Sequence, residues 1–122
     1  MKKLYRGSLI TFVVLAIIAP VGDVTAQSYD GKDRRVRVVN ETSSATVWGF
    51  YASNIGEDRW QEDMLDDEVI PPGSSRRFNI DDGTRYCHYD FKAVMRYSGG
   101  RTTNIYRRNV NVCEVSTWTI YN

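Results

Sequence analysis

"YCHYDFKAVMRY", residues 86–97, decides the fold. Tyr89, Phe91, Ala93 and Met95 share one parity; His88, Asp90, Lys92 and Arg96 share the other, and Val94 is the exception. A period of two puts successive side chains on opposite faces of a strand, so one face is expected in a core and one in water. "SGGR", residues 98–101, follows at once and offers two glycines to a hairpin turn. Residues 102–110 then return as the partner strand.

Working outward, the same strand-forming composition recurs. "RVRVVN" (35–40), "ATVWGFYAS" (45–53), "SSRRFNI" (74–80) and "VSTWTIY" (115–121) are rich in β-branched and aromatic residues. "NETSS" (40–44), "PPG" (71–73) and "DDGT" (81–84) punctuate them with turn residues. Six to seven short strands at this spacing predict an all-β, single-domain antiparallel β-sandwich or small barrel. There is no internal repeat.

The N-terminus reads as a targeting segment. Lys2, Lys3 and Arg6 precede an apolar run, "LITFVVLAIIA" (9–19), and Val24 and Ala26 sit at the small-residue positions before a cut. This is the pattern of a signal peptide over residues 1–26, and the run is too short for a membrane span. Residues 27–34, "QSYDGKDR", are expected as a flexible lead-in and 35–122 as the β domain. The leader takes three of the 16 basic and one of the 15 acidic residues, leaving 13 against 14. That balance excludes a global footprint for nucleic acid. Among those 13 bases, only Lys32 and Lys92 are lysines. The arginines come in small groups: Arg34, Arg35 and Arg37; Arg76 and Arg77; Arg107 and Arg108. They read as counter-charges and as protection of strand edges.

Cys87 and Cys113 are the only cysteines. In an exported chain they are expected to form one disulfide, tying the clearest strand to the C-terminal region across the core. Closing a loop of 26 residues stabilises a small domain by about 3.5 kcal/mol in the chain-entropy model.

"RWQEDMLDDEVIPPG" (59–73) carries the densest chemistry. Glu57, Asp58, Glu62, Asp63, Asp66, Asp67 and Glu68 surround Trp60, and Arg59 is their only base. Trp60 and Met64 are four apart, with Leu65 adjacent, which predicts a short helical segment pinned by its apolar stripe. Three readings stand side by side. The segment is a solvated acidic bulge. Or Asp63, Asp66 and Asp67 ligate calcium, with help from Asp81 or Asp82, although the EF-hand spacing is absent. Or Trp60 and Tyr51, rimmed by Glu62 and Asp63, form an interaction surface for a basic partner.

Catalytic signals are sparse. His88 and Asp90 share a face, yet no G-x-S-x-G elbow supplies a nucleophile. No catalytic residue is assigned, and a small hydrolase or lyase using His88 stands well behind. Asn40-Glu41-Thr42 is an N-glycosylation sequon, which matters only in a eukaryotic secretory route.

"FYASNIGEDRWQEDML", "IPPG", "DDGTRYCHYDFKAV" and "NVNVCEVSTWTI" together resemble a group of small secreted bacterial proteins, mostly proteobacterial. The group shares an N-T turn, an S-x(n)-W-x-x-D-x-L segment, an L/I-x-P-G turn and two cysteines. The resemblance spans residues 36–120 and brings no catalytic residues with it. Gly73, Ser74 and Ser75 also match the first letters of the argininosuccinate lyase loop G-S-S-x-M-P-x-K-x-N. The match ends there, because Arg77, Phe78 and Ile80 replace its Met, Pro and Lys. That lyase is moreover a helical tetramer several times longer.

The expectation is therefore an exported, periplasmic or secreted, monomeric β-sandwich. It is a non-enzymatic binding module for an envelope or other protein partner, without cofactor and with no membrane span in the mature chain. A calcium-stabilised structural domain is the alternative.

Overall fold

The structure, a computed structural model, describes residues 27–122. The expected signal peptide, 1–26, lies outside them. The described residues form six strands: β1 (Arg35–Asn40), β2 (Thr46–Asn54), β3 (Ser75–Asn79), β4 (His88–Arg96), β5 (Thr102–Asn111) and β6 (Thr117–Ile120). The strand at 86–97 is β4, and its alternation holds: Tyr89, Phe91, Ala93 and Met95 are buried, while Arg96 is exposed.

The strands make two three-stranded sheets, ordered β3-β1-β6 and β2-β4-β5. The second is antiparallel throughout. The first corrects the antiparallel expectation, because β1 and β6 run parallel, with Val38 opposite Trp118. A parallel pair needs a long crossover rather than a tight turn, and here all the intervening chain supplies it. The sheets face each other through aromatic rings. Phe50 of β2 lies 4.9 Å from Phe78 of β3 and 6.2 Å from Trp118 of β6, and Phe91 of β4 stacks on Trp118 at 5.6 Å. Rings at such spacings contribute beyond the area they bury.

Cys87 and Cys113 form the disulfide. Cys87 sits just before β4 and Cys113 just after β5, and the Val112 N–H donates to the Cys87 carbonyl at 2.7 Å. The bond therefore closes the open end of the β4–β5 hairpin within one sheet, rather than crossing the core. Strand parity alone could not distinguish these arrangements, because Cys113 lies in the turn of residues 112–114.

The described residues contain no helix, so the short helical segment is not formed. The 57–68 segment runs instead along the free edge of β2. The Phe50 N–H donates to Asp63 Oδ1 at 3.0 Å, and the Met64 N–H donates to the Phe50 carbonyl at 2.8 Å. Further on, Val47 and Ile70 exchange both backbone hydrogen bonds. An edge strand offers unpaired N–H and C=O groups, and backbone that pairs with them cannot also close i→i−4 bonds. Leu65 turns into the core, fully buried, whereas Trp60 lies half-buried on the other side of the sheet. Asp66 takes a left-handed φ of 57° in the turn of residues 64–67, a conformation that a short polar side chain tolerates.

Asn40 of the sequon is completely buried. Its Nδ2 donates to the carbonyls of Ala45 (2.8 Å) and Ile70 (2.9 Å), and its Oδ1 accepts from the Thr42 N–H and hydroxyl. Asn40 and Thr42 are thus a buried link that locks β1 to the start of β2, with both functions of the Asn40 amide engaged and Glu41 exposed between them.

Candidate functional site

Two polar constellations stand out, and their chemistry differs. The first lies on the outward face of the β2-β4-β5 sheet. Register places Tyr51, Lys92 and Tyr106 directly abreast on the three strands. Trp60 comes down onto this row from the edge segment. Lys92 Nζ lies 4.5 Å from the Tyr51 ring centre and 5.3 Å from that of Trp60. The Arg108 guanidinium lies 5.6 Å from Trp60 and 4.9 Å from Tyr106. Rings and cations therefore alternate: Tyr51, Lys92, Trp60, Arg108, Tyr106. Trp60 and Tyr106 also meet directly, 6.2 Å apart. Further along the same strands, Arg96 lies 4.5 Å over Trp48. A cation over a ring contributes about 0.5–1 kcal/mol at an exposed site. The main consequence is that each long cationic side chain packs along two rings rather than extending into solvent.

Asp90 closes one end of the row, accepting from Arg108 Nη1 (3.3 Å) and from the Asn109 N–H (2.8 Å). A dent of about 120 Å³ beside Trp60 is lined by Ser53, Glu57, Asp58 and Asp90, among others. Burial, and then the nearby Asp63 carboxylate, push the Tyr51 hydroxyl above its ordinary value, so it stays a neutral donor.

The structure brings the expected interaction surface together only in part. Tyr51 and Trp60 belong to the outward row, Glu62 lines a cleft between the sheets, and Asp63 lines that cleft while lying beside Tyr51. Asp63 also reaches the row: it meets Tyr51 over Gly49, where a Cβ would approach Tyr51 Cε1 to 3.2 Å and Asp63 Oδ2 to 3.4 Å. Sequence reading missed Lys92, Tyr106 and Arg108 as members of the row. The hairpin held a usable signal, because the register that sets Thr102 opposite Arg96 also sets Tyr106 opposite Lys92.

The second constellation is buried at the end of the molecule where β1 begins. Arg34 is 1 % exposed. Its guanidinium donates to both Asp30 oxygens (2.6 and 3.0 Å), to the Tyr86 carbonyl (2.7 Å) and to the Arg85 carbonyl (3.0 Å). Beside it, Asp81 accepts from the Ser28 N–H and hydroxyl, both at 2.8 Å. The stretch 27–34, expected as a flexible lead-in, is thus tied to the 81–87 loop. Asp82 is a second hub, accepting from Asn54 Nδ2 and the Tyr89 hydroxyl, both at 2.7 Å, and from Thr84. Burial works to raise the Asp82 carboxyl, but hydrogen bonds from Thr84, Asn54 and Tyr89 outweigh it and hold it below the usual range. Burial and Asp82 together raise the Tyr89 phenol far above its ordinary value.

Of the calcium candidates, Asp63 directs Oδ1 to the N–H groups of Phe50 and Leu65. Asp66 occupies the turn, and Asp67 Oδ1 is buried without a hydrogen-bond partner. Among the described residues, no three His, Cys, Asp or Glu groups gather as a metal site. His88 is half-buried on the outward face, and the Asp90 carboxylate beside it is engaged by Arg108 and Asn109.

No family model, no curated protein and no solved structure matches this chain. The site is therefore read from its own geometry.

Proposed function

We propose that this protein is an exported β-sandwich that acts as a non-enzymatic binding module, with the outward face of β2-β4-β5 as its working surface. One observation carries this reading. Tyr51, Trp60 and Tyr106 alternate with Lys92 and Arg108 on the outward face of one sheet, in mutual contact. Aromatic and arginine side chains are the residues that dominate binding energy at interfaces, and ordering them beforehand removes part of the entropic cost of association. Tyr106 is 47 % exposed, so the row presents area to a partner. The acidic residues of 57–62 flank it and favour a protein partner with basic groups at the rim.

The disulfide fits export to the periplasm or beyond. Mutual packing of the two sheets through Phe50, Phe78, Phe91 and Trp118 supports the sandwich.

The test is a photo-crosslinking residue in place of Tyr106, illuminated in the cells that make the protein. A discrete adduct that disappears with Trp60→Ala is the expected result. The same adduct from a crosslinker at exposed Tyr121, or one indifferent to Trp60→Ala, would remove the face from consideration.

A further inference from the structure

The cleft between the two sheets is a separate site. Its cavity measures about 520 Å³ and opens where the 61–64 segment faces the end of β3. Its floor is apolar: Ala52, Met64, Ile80 and the Tyr89 ring come from the inner faces of the sheets and the segments beside them. Its rim carries Glu62, Asp63, Asp81 and Asp82, and no lysine or arginine lines it. The nearest buried cation, Arg34, lies 3.9 Å from Asp81 but is bound to Asp30 at 2.6 Å.

A concave volume of several hundred Å³ with an apolar floor and a few convergent polar groups is the usual form of a small-molecule site. The rim fixes the sign of the ligand. Asp81 and Asp82 are both held as anions by the hydrogen bonds they accept, from Ser28 and Gly83 in one case and from Thr84, Asn54 and Tyr89 in the other. The floor fixes its body. A bare calcium ion asks for six to eight oxygens and gains nothing from Ala52, Met64 or Ile80. An organic cation with an apolar tail satisfies both halves.

We infer that the inter-sheet cleft binds a small amphipathic organic cation, its ammonium or guanidinium group at the Glu62–Asp81–Asp82 rim and its apolar body over Ala52 and Met64. The site has its own lining: Tyr51, Trp60 and Tyr106 do not belong to it, and Asp63 alone lies near both, so the Trp60→Ala test of the row and the Glu62→Lys test of the cleft report on different sites.

Titrating the oxidised protein with alkylammonium chlorides, followed by amide and methyl resonances, tests this. Octylammonium should shift Ala52, Met64, Asp81 and Tyr89 saturably. Affinity should rise roughly two- to fourfold for each methylene between butyl- and octylammonium, as burial of CH₂ groups requires. Octanoate, of equal length and opposite charge, should bind about tenfold more weakly or worse. Glu62→Lys, a change at an exposed position, should weaken octylammonium by about tenfold and leave the spectrum of the free fold intact.

Methylammonium matching octylammonium would reduce the site to surface charge and overturn the proposal. Equal binding of octanoate, indifference to Glu62→Lys, or no saturation at tens of millimolar would overturn it too. So would a calcium-saturable shift of Asp81 and Asp82 tighter than that of octylammonium.

Discussion

Arg34 and Arg108 each meet an aspartate, yet they do opposite work. Arg34 is enclosed at the β1 end, and its Asp30 partner lies 2.6 Å away with two backbone carbonyls sharing the guanidinium. Arg108 is 61 % exposed at the side chain, and its Asp90 contact is 3.3 Å. The Arg34 side chain is closed off from water, although Asp30 keeps 21 % of its side chain exposed, whereas water bathes Arg108. A buried charge that loses its partner keeps its desolvation cost, whereas an exposed pair exchanges protein for solvent at little loss. The buried end therefore holds the fold together. The outward row is expected to tolerate alteration without harm to the fold, as the proposed binding surface requires.

The largest effect should come from Arg34→Met. It strands Asp30, Asp81 and the carbonyls of Tyr86 and Arg85, and should cost about 3–5 kcal/mol in urea unfolding of the oxidised protein. For a domain whose total stability is about 5–15 kcal/mol, that brings the variant close to unfolding.

Acid sharpens the same contrast. Asp82 is held below the usual carboxylate range in the folded state. Its contribution is complete above the unfolded aspartate value of about 3.9 and is lost as pH falls through the lower folded value. Asp81 is shifted in the same direction. Asp82→Asn should therefore lower stability at neutral pH and flatten the acid limb of a stability–pH curve. An unchanged acid limb would mean that the Tyr89 and Asn54 contacts do not hold the carboxylate as an anion.

The smallest effects belong to the outward row. Lys92→Ala and Arg108→Ala should each cost about 1 kcal/mol or less, because their approaches to the rings, and the Arg108 pair with Asp90, lie on a face open to water. Both should nevertheless change Trp60 fluorescence, since each removes a charge near the indole. A loss of several kcal/mol from either would turn the row into part of the scaffold.

What the sequence made legible follows from what is local. The six strands begin and end within two residues of where alternation and turn residues placed them, because both signals are written within each segment. The helix at Trp60 and Met64 failed for a non-local reason: the spacing is helical, but the free edge of β2 takes the Asp63 carboxylate and the Met64 N–H instead. Arg34 read as a counter-charge, and nothing adjacent to it announces the carbonyls of Arg85 and Tyr86, about fifty residues away. The candidate site was half legible. Trp60 and Tyr51 were picked out as aromatic anchors, but Lys92, Arg108 and Tyr106 emerge only when the hairpin register sets them beside Trp60.

The most direct test is urea unfolding of Trp60→Ala beside Arg34→Met, both oxidised. Trp60 is half-buried on an outward face, so its removal should cost about 1–1.5 kcal/mol, well below the cost of Arg34→Met, with the denaturant slope unchanged. That result leaves the ring free to serve a partner. A Trp60→Ala loss equal to that of Arg34→Met would contradict the account and make the aromatic row a structural clamp on the acidic segment.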